Sequence, residues 1–147
     1  MSALEVLNLD IKDPIAVETA VFALGGSVSL YFNLLEKFEV VSLHKNMAKI
    51  VICLEKDNWQ EMDALAYMLK MSSGIIGAGK VYYACYYMQG AFLQRDYGAM
   101  LRFYPLLVEA AVELKRYTRK FLADSQGRQI CFSNCFQYLI GNHYTEL

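Results

Sequence analysis

Apolar residues recur along this chain at intervals of three and four, and no stretch alternates in the way a half-buried strand requires. The spacing predicts helices, and the breaks between them are marked. Asp13 and Pro14 read as an N-cap and a first helical residue, and the helix they open stops at Gly25 and Gly26. Ser27 caps a second helix that runs to about Glu39. Ser42 caps a third that ends near Lys56. The run Asp57, Asn58, Trp59, Gln60 resembles a capping box and opens a fourth, which lasts until the break between Gly74 and Gly79. A fifth helix is predicted from about Lys80 to Arg95 and a sixth from about Tyr97 to Ala123, with a kink at Pro105. Ser125, Gln126 and Gly127 read as a linker. Beyond it Phe132, Cys135, Phe136 and Leu139 repeat at helical spacing and suggest a short seventh helix.

Long helices joined by short turns describe an all-α fold of antiparallel bundle type. The length, 147 residues, fits one domain spanning 1–147, with a core over about 13–123 and a C-terminal extension over 124–147. A chain of this size buries roughly two thirds of its unfolded surface, so it needs neither metal nor disulfide to fold. Hydrophobic residues make up 56%. The longest apolar run, Val81 to Met88, is rich in tyrosine and far short of the roughly 20 residues that cross a bilayer. The apolar excess therefore implies a large core, an adhesive surface patch, or both.

Net charge is −1 and both signs are spread along the chain, unlike the basic footprint of a nucleic-acid binder. The densest basic run, Lys115 to Lys120, suits a solvated helix end. Cys53, Cys85, Cys131 and Cys135 read as buried thiols, because no histidine stands at ligand spacing near them. The start of the chain lacks the basic and apolar regions of a signal peptide, so cytoplasm or nucleus is the expectation. Phosphate-cradling loops, zinc-protease spacings and nucleophile elbows are all missing from the sequence, and no cofactor is implied.

The fourth helix is the most informative. Wound at 100° per residue, Met62, Leu65, Ala66, Leu69, Ser73 and Ile76 form one stripe, which should face the core. Asp63, Tyr67, Lys70, Met71 and Gly74 fall on the other side, so Tyr67 should point outwards with a lysine one turn along. Trp59, in the first turn, reads as a cap over the end of the bundle. On the fifth helix Tyr82, Tyr83, Tyr86 and Tyr87 form two i,i+4 pairs. One pair can face the core and the other solvent, or both can lie under later helices.

The segment Leu54 to Ala78, LEKDNWQEMDALAYMLKMSSGIIGA, resembles the signature of histidine-phosphotransfer proteins, A-H-x-L-K-G-S-S-x-x-x-G-A. Ala66, Leu69, Lys70, Ser72, Ser73, Gly77 and Ala78 match it, and Asp57, Asn58 and Trp59 match the turn that precedes it in the family. Leu24 to Ser27 with Tyr31, Leu34, Leu35 and Phe38 resembles the family's second helix and the boundary before it. Lys80, Val81 and Cys85 resemble its plant branch. The resemblance covers roughly 13–123. It implies an antiparallel four-helix bundle with a short N-terminal helix and an extra C-terminal helix, and a place in a phosphorelay with response-regulator receiver domains as partners.

Two departures fall on the chemistry. Tyr67 stands in the place of the phosphorylated histidine, and Met71 in the place of the glycine that lets a partner approach. Relay needs an imidazole nitrogen, nucleophilic near neutral pH. A phenol, with an ordinary pKa near ~10, stays protonated there, and its phosphate ester is a poor donor. The expectation is thus a non-catalytic protein of the family's build. It would bind receiver domains or compete with active relay proteins through Asp63, Tyr67, Lys70, Met71 and Gly74. The lysine that helps hold the phosphoryl group in the family is retained as Lys70; here it would pair with Asp63 or Glu61, or stay solvated. His44 and His143 lack the surrounding motif and read as surface histidines. The alternative is a structural or interaction protein on the same scaffold, with an unrelated partner or a second copy of itself.

Overall fold

The computed structural model describes residues 15–127. Six α-helices follow one another there: α1 (Val17–Ala23), α2 (Val28–Lys37), α3 (His44–Glu55), α4 (Trp59–Ile76), α5 (Gly79–Leu93) and α6 (Tyr97–Gly127). A π-helical stretch, Phe38–Leu43, joins α2 to α3. Among the described residues there is no strand, so the protein is all-helical there, as the spacing predicts.

Four of the connections use one device. Each helix ends on a residue of positive φ (after α1 Gly26 follows Gly25 with φ 85°) while a following N–H reaches back five residues to an orphan carbonyl. Gly25 (φ 74°) serves α1, with the Gly26 N–H donating to the Val21 carbonyl at 2.8 Å. Asp57 (φ 52°) serves α3, with Asn58 N–H to Cys53 at 2.9 Å, and Gly77 (φ 79°) serves α4, with Ala78 N–H to Ser73 at 2.9 Å. Arg95 (φ 55°) serves α5, with Asp96 N–H to Ala91 at 2.9 Å. The next helix then starts at once. The side chains of Ser27, Asn58 and Asp96 accept from the backbone N–H groups of Leu30, Glu61 and Ala99. Because closure and capping overlap, each of these helices gives way to the next within a few residues.

This geometry corrects several sequence expectations. The cap of α4 is Asn58 with Glu61 three residues on, not Asp57 with Gln60, because Asp57 is consumed in closing α3. Ser42 caps nothing. It lies inside the π-helical stretch, and the chain runs helically from Val28 to Glu55 because no glycine or proline interrupts it. The wider i→i+5 turn has a packing reason. Phe38 and Leu43, five residues apart, are both buried, whereas α-helical winding would send them to different sides. At the other end, α6 carries Pro105 without being divided and continues through Ser125, Gln126 and Gly127, where a linker is expected. Lys115 to Lys120 is consequently mid-helix rather than a helix end. Thr118 there is buried, and Arg119 Nε donates to Glu39 Oε1 at 2.9 Å. The helix expected to open at Asp13 and Pro14 begins instead at Val17, with Ile15 and Ala16 outside it. Asp13 and Pro14 themselves, the seventh helix, Cys131, Cys135 and His143 lie outside the described residues.

α5 packs along both α4 and α6, and α3 along α4. α2 and the π-helical stretch close against α4 and α6. The stripe predicted for α4 is the heart of the core: Met62, Leu65, Ala66, Leu69, Ser73 and Ile76 are all buried. All of these but Ser73 join Tyr31, Leu35, Ile50, Met88, Met100, Leu107 and Leu114 in one hydrophobic cluster. Trp59 stacks flat on Tyr97, centroids 5.1 Å apart, so the first turns of α4 and α6 are tied at one end of the molecule, as expected of a cap. Lys80 Nζ reaches both oxygens of Glu113 at 3.1 and 3.2 Å and pins α5 to α6. No single described helix is long and apolar enough to cross a membrane.

Candidate partner-binding site

Burying one stripe of α4 leaves its other side in solvent. Tyr67 is 50% exposed, and Met68, Met71 and Ile75 are exposed beside it. α5 buries Val81, Ala84, Cys85 and Met88, which leaves its tyrosines on the flanks of that stripe. The tyrosines do not divide into the i,i+4 pairs that spacing suggests. Tyr83 and Tyr86 are exposed while Tyr82 and Tyr87 are half-buried, because the smaller residues Val81, Ala84, Cys85, Met88 and Ala91 take the full width of the buried face. Their rings form a connected row: Tyr82 on Tyr83, Tyr83 on Tyr86, Tyr86 on Tyr87, and Tyr87 stacked on Phe103 of α6.

Between α4 and α5 lies an open depression of about 370 Å³, lined by Asp63, Tyr67, Lys70, Tyr86, Gln89 and Leu93 together with Tyr87 and Gly90. Three of the residues singled out from the sequence thus come together. Met71 is exposed on the same helix without lining the depression. Gly74 belongs to a separate hollow with Gly77, Gly79 and Tyr82, where an added Cβ would touch the Tyr82 ring at 3.4 Å. Tyr86, Gln89 and Leu93 are additions from α5. Tyr86 belongs to the visible tyrosine cluster, but a lone glutamine and a terminal leucine carry no spacing signal.

Lys70 departs from both sequence readings, since it is neither ion-paired among the described residues nor freely solvated. Its Nζ sits 5.4 Å from the Tyr67 ring centroid and 5.8 Å from that of Tyr86, within cation–π range of each. Asp63 is half-buried. Burial pushes its carboxyl above the ordinary aspartate value, against the opposing pull of a hydrogen bond with the Gln89 side chain and of the Lys70 charge. Gln89 Oε1 is buried without a hydrogen-bond partner. The floor of the depression therefore holds one cation, one carboxylate and one unfilled acceptor, inside aromatic and aliphatic walls.

His44 is exposed at the start of α3 and lines a different hollow, an apolar groove of about 330 Å³ between α3 and α6 that shares no residue with the depression. Cys53 and Cys85 are buried and unpaired, and burial pushes the Cys85 thiol up to about 12. Compared with known families, characterised proteins and solved structures, the chain finds no match.

Proposed function

We propose that this protein is a non-relaying member of the histidine-phosphotransfer type that docks receiver domains through the exposed face of α4 and α5 and competes there with active relay proteins. In this reading the joined α2–α3 unit, α4, α5 and α6 are the four helices of the antiparallel bundle, and α1 is the short N-terminal helix. One observation carries it. Tyr67 and Lys70 stand where the resembled motif has its histidine and lysine, they share one depression, and Met68, Met71 and Ile75 are exposed elsewhere on the same helix. An exposed apolar patch around a lysine suits a protein partner. A phenol in the nucleophile's place, with methionine beside it, does not suit phosphate transfer. The reading implies a cytoplasmic or nuclear protein acting without cofactor.

The test is retention of receiver domains on the immobilised full chain, with Met68→Asp and Met71→Asp variants as controls. Retention by the wild type, lost in the variants, is expected, together with slowed transfer when the chain is added to a working relay. A panel of receivers that neither binds nor slows would overturn the proposal. The apolar groove between α3 and α6 favours a second reading, an unrelated partner or a second copy of the chain on the same scaffold. Sedimentation of the full chain as a dimer that Val51→Asp disrupts would support it.

A further inference from the structure

The charge on Lys70 is already engaged inside the chain. Its ammonium lies against two tyrosine rings, one from α4 and one from α5. Asp63 lines the same depression, so the formal charges there cancel. Leu93 and Tyr86, which line the depression with them, are 82% and 51% exposed, and Met68, Met71 and Ile75 are exposed apolar residues elsewhere on α4. A dianionic phosphoryl group brought to this face would find Lys70 covered on two sides and a carboxylate beside it. To meet the phosphate, the ammonium would have to leave both rings.

Resting on the receiver-docking reading above, we propose that Tyr67 and Tyr86 sheathe Lys70, so that the protein binds receiver domains whether or not their aspartate is phosphorylated. Tyr67 then has a positive role besides removing the histidine. It turns a face that would sense phosphate into one that reads the partner's apolar surface, and the protein occupies receivers in both states. Charged contacts chiefly set partner discrimination and encounter rate, so holding the Lys70 ammonium against two rings of its own chain removes the means of discrimination.

The experiment measures Kd for the full chain with one receiver domain in two forms, unmodified and charged with beryllofluoride as a phosphate mimic. For the wild type the two values should agree within about threefold, whereas a free lysine facing a dianion would favour the charged form by roughly tenfold or more. Tyr67→Ala uncovers one side of Lys70 and should create a preference for the charged form. Adding Lys70→Met to that variant should abolish the preference. Circular dichroism checks the variants, and the half-exposed position of Tyr67 makes both compatible with folding. A tenfold preference in the wild type, or no gained preference in Tyr67→Ala, overturns the sheathing while leaving receiver docking intact. Absence of binding to either form by the wild type overturns both.

Discussion

The hydroxyl of Tyr31 in α2 donates to the backbone carbonyl of Ile76, the last residue of α4, at 2.9 Å across 45 residues of sequence. The carbonyl is one of the orphans at a helix C-terminus, and the ring that reaches it is fully buried. Burial pushes the phenol well above its ordinary value, with Tyr117 adding to the shift, so the hydroxyl remains a donor. Tyr31→Phe keeps the packing and strands the acceptor. It should cost about 1–3 kcal/mol in chemical denaturation. An unchanged midpoint would mean that another donor replaces the hydroxyl.

Gly77 gives a second, steeper test. Its φ is +79°, and an added Cβ would stand 2.8 Å from the Ala16 carbonyl oxygen and 3.2 Å from the Ala20 Cβ. The Ala16 N–H also donates to the Gly77 carbonyl at 2.9 Å, so the start of α1 is seated on this glycine. Gly77→Ala combines left-handed strain with a backbone collision and should destabilise by roughly 2 kcal/mol or more. Arg95→Gly, at a positive φ on an exposed turn, should go the other way, raising stability by up to about 1 kcal/mol. Thermal melts of the two variants read both signs.

Asp63 predicts a pH dependence. Its folded value is raised, chiefly by burial, above the ordinary 3.8. The folded state therefore holds this proton more tightly than the unfolded one. The stability it lends is fully present below the unfolded value and is lost as pH rises through the folded value. At neutral pH the ionised carboxylate is a net cost, so Asp63→Asn should be more stable than the wild type there. The advantage should narrow as the pH falls and vanish below about 3.8. Denaturation midpoints across that range check it, and an Asn variant less stable at pH 7 would contradict the sign.

How much of this was legible in the sequence depends on what each feature rests on. The buried stripe of α4 follows from periodicity because that helix is straight in register for all of its core positions, from Met62 to Ile76. Gly25 and Gly77 announce their turns, since glycine is the residue that accepts positive φ at no steric cost. Asp57 and Arg95 take the same conformation without announcing it, so the capping-box pattern falls one residue before the true cap. The π-helical stretch left no mark, because it answers a tertiary demand, the joint burial of Phe38 and Leu43, rather than a local propensity. At the site, Tyr67 and Lys70 were visible as outward-facing neighbours on one helix. Their contact with Tyr86 and the stranded Gln89 oxygen depend on how α5 is rotated against α4, and spacing along one chain does not fix that rotation.

The last prediction asks whether the α4 face is a relay site with its chemistry removed. Tyr67 is half exposed, and Lys70 sits one turn along on the same side of the helix. Tyr67→His would place an imidazole where the resembled motif has one and would withdraw one of the two rings from Lys70. Met71, 51% exposed, still projects from that side, and Met71→Gly would clear the approach. Each change alone should do less than the pair, since a misplacement near 1 Å can cost ~100-fold in rate. Glycine within an exposed helix costs about 1 kcal/mol, small beside the stability of an ordinary domain. The measurement is transfer of radiolabel from a phosphorylated receiver to the wild type, each single variant and the double variant. Acid-labile label is expected on the double variant, less on Tyr67→His, and none on the wild type or Met71→Gly. Label on wild-type His44 would show that the chain transfers phosphate by another route. A folded double variant that binds receivers yet takes no label would separate docking from relay, leaving the face a binding surface whose geometry no longer supports transfer.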